Sequence, residues 1–181
     1  NFSIAFPRLS SLVIGTFDED LRIFAAKVAV RSYGLNSGSL GKKFPGIFSC
    51  GLWQALREAK RAPTSALITD IGNDLGYEVP VEQVLEWVTR CVTRLLELDA
   101  DVVISDLPLD PLRAIGERRF RLLRRVLFPY CTLEKAELVQ RAEQLSGGLQ
   151  RLAKTHQIPV FSVSAEWYGL DPIHPRRRCL D

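Results

Sequence analysis

Ser65-Ala66-Leu67-Ile68-Thr69-Asp70-Ile71-Gly72-Asn73-Asp74 reads as a strand, residues 65–70, that runs straight into a polar turn. Working outward, residues 50–61 have the pattern of a helix, and Pro63 separates that helix from the strand. On the other side, residues 81–98 give the clearest helical signal in the chain. There Val81, Val84, Leu85, Val88, Cys91, Val92 and Leu95 fall on one face. Residues 100–107 (ADVVISDL) read as a second strand ended by Pro108, and residues 111–128 as a helix with Phe120, Leu123 and Leu127 on its inner stripe. A long helix over residues 133–156, with a possible break at Gly147-Gly148, and a strand over residues 158–163 follow. Strands alternating with amphipathic helices predict an α/β domain with a mainly parallel sheet, covered by helices on both faces.

Upstream of this core, residues 2–13 have helical spacing, residues 15–20 read as a turn, and the continuous apolar run 21–30 (LRIFAAKVAV) suits a buried strand. The glycine-rich stretch 32–46 reads as a long loop. Its Gly41-Lys42-Lys43 is no phosphate loop, because Asn36 and Lys43 stand where that motif needs a glycine and a hydroxyl.

Composition narrows the function classes. The chain has 181 residues, 46% hydrophobic and 25% charged, as expected of one globular domain over residues 1–181. A net charge of +3 provides no global field for nucleic acid. Cys50, Cys91, Cys131 and Cys179 lie far apart with no CxxC pair, so a zinc site is not expected. Reduced cysteines and a cytoplasmic setting are the simplest expectation, with two disulfides as the alternative. No apolar run approaches the roughly 18 residues of a membrane span. The chain contains no methionine, so Asn1 is not expected to be a translation start.

A second polar stretch lies near the end: Tyr168-Gly169-Leu170-Asp171-Pro172-Ile173-His174-Pro175. Pro175 forbids a helix through His174, which places the imidazole on a loop. A carboxylate three positions earlier can accept a hydrogen bond from one ring nitrogen and leave the other free to take a proton from a nucleophile. In parallel sheets function collects at the carboxyl ends of the strands, where both Asn73 and the Asp171–His174 loop are expected. An asparagine amide there offers uncharged N–H donors to an oxygen that turns negative when a carbonyl is attacked. Gly72 would let the backbone approach closely and Asp74 would tie the turn down by bonding nearby amides. Taken alone, the Gly-Asn-Asp tripeptide reads as ordinary turn chemistry.

Ile71-Gly72-Asn73-Asp74 after a strand, with Asp171-Pro172-Ile173-His174-Pro175 about a hundred residues later, resembles the SGNH (GDSL-type) hydrolase family. That family has a Gly-x-Asn-Asp block and a late Asp-x-x-His block. Here Ile71 stands where the family usually has glycine. The resemblance implies a three-layer, flavodoxin-like sheet and hydrolysis of ester or acyl bonds on lipids or carbohydrates, with no metal or other cofactor. It implies Asn73 as an oxyanion donor, His174 as general base and acid, and Asp171 as its orienting partner. Gly34 is the nearest glycine for the family's other oxyanion block. Trp167 and Tyr168, beside the His174 loop, are candidates for the substrate pocket.

The family's Gly-Asp-Ser-type block, which carries the nucleophile, has no counterpart in the chain. The nucleophilic serine is expected immediately before Asn1, and a chain starting at Asn1 is expected to be inactive by itself. Ser3, Ser10, Ser11, Ser32 and Thr16 are rival candidates, of which Ser10 and Ser11 suit a helix surface and Ser32 could line the site in another role. The alternative function is a degenerate SGNH-fold binding or interaction module without turnover. The arginines of residues 116–125, with Arg176-Arg177-Arg178, read as a solvated helix face and tail, although anionic head groups or acidic substrates would suit the same chemistry. Trp53 and Trp87 read as packing residues, and His156 as a favourable charge at a helix carboxyl end.

Overall fold

A computed structural model describes Ser10, Gly15 and residues 21–27, 30–37 and 42–162. Its element order is a 3-10 turn (Ile47–Ser49), α1 (Leu52–Glu58), β1 (Ser65–Ile68), α2 (Asn73–Gly76), α3 (Val81–Leu96), β2 (Asp101–Ser105), α4 (Leu109–Ala114), α5 (Glu117–Leu127), α6 (Lys135–His156) and β3 (Val160–Phe161). The three strands form one parallel sheet in the order β1-β2-β3. Register is set by Ile68 opposite Ile104 and by Ile104 opposite Val160.

The core sits where α3 crosses β2 and packs on α6. Val84, Val88 and Val92 of α3, Ile104 of β2, and Leu145 and Leu149 of α6 are all fully buried. Alternation along a strand sends Ile68 and Ile104 into this core and Leu67 to the other side, where it remains 52% exposed. Helices on both faces are therefore not seen among the described residues. Covering the second face would need groups beyond those described.

Gly147-Gly148 does not break α6, which runs unbroken from Lys135 to His156. A Cβ on Gly148 would lie 2.4 Å from Leu85 Cδ1, so the glycine is the point of close approach between α6 and α3. Conversely, the single helix expected over residues 111–128 is two helices. Ile115 is extended (φ −63°, ψ 133°) and Gly116 likewise (φ −70°, ψ 147°), which ends α4 and starts α5.

The strand expected over residues 21–30 is not formed over residues 21–27. Residues 21–27 belong to neither strand nor helix, and Leu21, Ile23 and Phe24 are each more than a third exposed. Val30 has φ 52°, a left-handed conformation through which no strand continues. An apolar run becomes a strand only where a neighbour offers a hydrogen-bonding edge, and neither β1, β2 nor β3 pairs with it. Gly15, expected in a turn, is helical. The helix expected over residues 2–13 lies, apart from Ser10, outside the described residues.

Candidate functional site

β1 ends at Ile68, and the chain then turns through Thr69, Asp70, Ile71 and Gly72 into α2. Asp70 takes the turn with φ 58°, in the left-handed region that aspartate tolerates better than most residues. Asn73 and Asp74 open α2, so the expected turn is a short helix whose first side chains point back toward the loop at residues 30–37. Asn73 Nδ2 donates to the Arg31 carbonyl at 3.3 Å. A side-chain amide carries two N–H donors, and this bond uses one of them.

Asp74 does not bond amides of its own turn. It reaches across 42 residues to accept from the Ser32 hydroxyl on Oδ1 and from the Tyr33 N–H on Oδ2 at 2.8 Å. Both Asp74 and Ser32 are fully buried. Burial raises the Asp74 carboxyl to about 6, although the Ser32 and Tyr33 hydrogen bonds pull the other way. The Ser32 hydroxyl also accepts from the N–H groups of Gly34 (3.1 Å) and Leu35 (2.8 Å). Its proton and its acceptor capacity are committed, which suits a structural hydroxyl and not a nucleophile.

Two phenols complete the clamp. Tyr33 Oη donates to the Thr69 carbonyl at 2.7 Å, at the carboxyl end of β1, and Tyr77 Oη donates to the Val30 carbonyl at 2.7 Å. Burial raises the Tyr33 phenol well above its ordinary value, so it stays protonated as a donor. The left-handed Val30, disfavoured for a β-branched residue, is held between these bonds. Loop 30–37 is thus fastened to the carboxyl end of β1 by side chains that are distant in sequence.

The two glycines have unequal roles. A Cβ on Gly34 would come within 2.2 Å of the Trp87 ring, so the position is glycine because the indole packs directly on it. The Gly34 N–H is engaged by Ser32. Gly72 has ordinary helical angles (φ −65°, ψ −13°), and a Cβ there would meet Leu107 at 3.4 Å, normal van der Waals contact. The close backbone approach expected at Gly72 is therefore not what makes it glycine.

At the carboxyl end of β2, Ser105 Oγ donates to Thr69 Oγ1 at 2.9 Å. Asp106 accepts from the Leu107 N–H at 2.7 Å and from Gln150 Nε2 at 2.8 Å. Asp106 carries no sequence signal beyond a carboxylate at a strand end in Ser105-Asp106-Leu107-Pro108. Trp53 is buried with Nε1 on the Ile47 carbonyl at 2.7 Å, and Trp87 is half-buried against the core. Cys50, Cys91 and Cys131 are free, and burial pushes the Cys91 thiol up to about 12, which leaves it inert. Among the described residues no cluster of His, Cys, Asp and Glu could hold a metal ion, and no helix is long and apolar enough to cross a membrane.

Asp171, His174, Trp167 and Tyr168 lie outside the described residues, as do Ser3, Ser11, Thr16 and Cys179. The chain matches no protein-family model, no curated protein and no solved structure.

Proposed function

We propose that this chain is the main part of a serine-dependent hydrolase of ester or acyl bonds, of the SGNH type, acting on a small acylated lipid or carbohydrate. One observation carries the reading. β1 and β3 are parallel, Asn73 follows the carboxyl end of β1, and the segment bearing Asp171 and His174 follows β3. Chain segments leaving parallel strands in this way start from the same rim of the sheet. Further support comes from strand order. A flavodoxin-like sheet runs 2-1-3-4-5, and β1-β2-β3 fits its 3-4-5 half. In that topology the strand carrying the nucleophile pairs with the free edge of β1 and offers residues 21–27 an edge to pair with.

In the proposed mechanism a serine preceding Asn1 gives its proton to His174 while attacking the acyl carbonyl. Asp171 orients the imidazole and stabilises the imidazolium without being protonated. The second N–H of Asn73 holds the tetrahedral oxyanion. His174 then protonates the leaving alcohol, and water releases the acyl group by the reverse route. Loop 30–37, tied to Asp74, keeps the Asn73 amide in place at no reorganisation cost during the reaction.

With the segment preceding Asn1 included, Asn73→Ala is expected to lower kcat for a short p-nitrophenyl ester about 100- to 1000-fold. His174→Ala should abolish turnover with the fold intact. Unchanged turnover in either variant removes that residue from its role. The competing reading, a binding module without turnover, draws on Asn73 and Asp74 both having structural partners in loop 30–37. It predicts no hydrolysis even by the longer protein.

A further inference from the structure

We propose that the outer face of α5, with the turn that follows it, docks on the surface of a lipid bilayer containing anionic phospholipids. The proposal is independent of the hydrolase reading. One side of α5 is anchored: Phe120 is buried and Leu123 and Leu127 are half-buried. Arg124 is drawn inward as well, with its guanidinium on the Leu133 carbonyl at 2.5 Å. On the opposite side Leu122 and Val126, one helical turn apart, are 63% and 69% exposed, and Tyr130 just beyond the helix is 93% exposed. These are among the most exposed large apolar side chains described, and all three fall within nine residues of each other.

The same outward face carries Arg118, Arg121 and Arg125, all exposed. Among the described residues none of the three pairs with a carboxylate, whereas Arg113 and Arg141 do. α5 holds five arginines against the single acid Glu117, although the whole chain carries only +3. A solvated face explains the arginines, but water gives no reason for the aliphatic pair beside them. Nucleic acid would attract the guanidinium groups and leave Leu122 and Val126 unused. A bilayer with anionic lipids uses both. Leucine and valine enter the acyl boundary, arginine stems lie along it with their heads among the phosphates, and a tyrosine sits at head-group level.

The test is sedimentation of the full chain with vesicles of equimolar phosphatidylserine and phosphatidylcholine, beside vesicles of phosphatidylcholine alone. Binding to the mixed vesicles, weakened by salt, and none to phosphatidylcholine are expected. Arg118→Gln with Arg125→Gln should weaken it about fivefold per residue. Leu122→Gln with Val126→Gln keeps every charge and should weaken it about tenfold or more. All four positions are exposed, so circular dichroism and thermal unfolding should match the parent protein. Three results would each overturn the proposal: no binding to the mixed vesicles, binding unaffected by the Leu122 and Val126 changes, or equal binding to duplex DNA or polyglutamate that depends on the arginines alone.

Discussion

Asp74 is held by a hydroxyl and an amide in place of a cation, at a site with no exposure to water. Its raised proton affinity has a definite sign in stability. The folded chain binds the proton more tightly than the unfolded one, so Asp74 favours folding below about pH 4. That contribution is lost as pH rises through about 6. A shift of this size is worth on the order of 3 kcal/mol. Asp74→Asn removes the titration but leaves one donor, Ser32 Oγ–H or Tyr33 N–H, facing an NH2 group. The protonated carboxyl has the same conflict, so at acidic pH the two proteins should differ by no more than about 1 kcal/mol. Urea unfolding across the range from about pH 4 to 7 should show the variant gaining stability relative to the parent as pH rises. A difference independent of pH would mean that Asp74 is ionised throughout. At this scale the sequence picks out Asn73 and Asp74 as polar residues after a strand and is silent about their partners. Gly72-Asn73-Asp74 stands out as a motif, but a hydrogen bond spanning 42 residues to Ser32 leaves no local trace.

At the scale of elements, periodicity was legible where a helix has one buried side. The apolar stripe of α3 runs from Val81 to Leu95 as its spacing requires. Periodicity could not see the extended Ile115–Gly116 link, because the stripe of Phe120, Leu123 and Leu127 lies wholly on one side of it. Nor could it tell a helix-breaking glycine from a packing one. Gly148 shows the distinction in energy. Alanine is the better helix former by about 1 kcal/mol, yet its Cβ would sit 2.4 Å from Leu85 Cδ1 and 3.1 Å from Leu85 Cγ. Gly148→Ala should therefore destabilise by a net 1–2 kcal/mol or so. Adding Leu85→Ala should recover part of the loss, since the two positions share one contact. A stabilised Gly148→Ala protein, read from the denaturant midpoint at unchanged slope, would show that α3 and α6 are not held at that distance. The run at residues 21–30 illustrates the limit of local reasoning. Hydrophobicity marked it as strand material, but a strand is a property of two segments, and no described neighbour pairs with it.

For the whole molecule, the three-strand sheet has an edge at β1 with no partner among the described residues, and Leu67 of that strand is 52% exposed. Open edges of this kind are a liability that proteins cover. In the proposed hydrolase the strand carrying the serine would close this edge and bring the serine to the rim on which Asn73 lies. Labelling the protein with a fluorophosphonate, which reacts only with an activated serine, tests that claim most directly. With the segment preceding Asn1 present, the account predicts a single phosphonylated serine upstream of Asn1. Labelling should be lost in His174→Ala and slowed in Asn73→Ala. An adduct on Ser32, or no adduct on any serine of the longer protein, would contradict it.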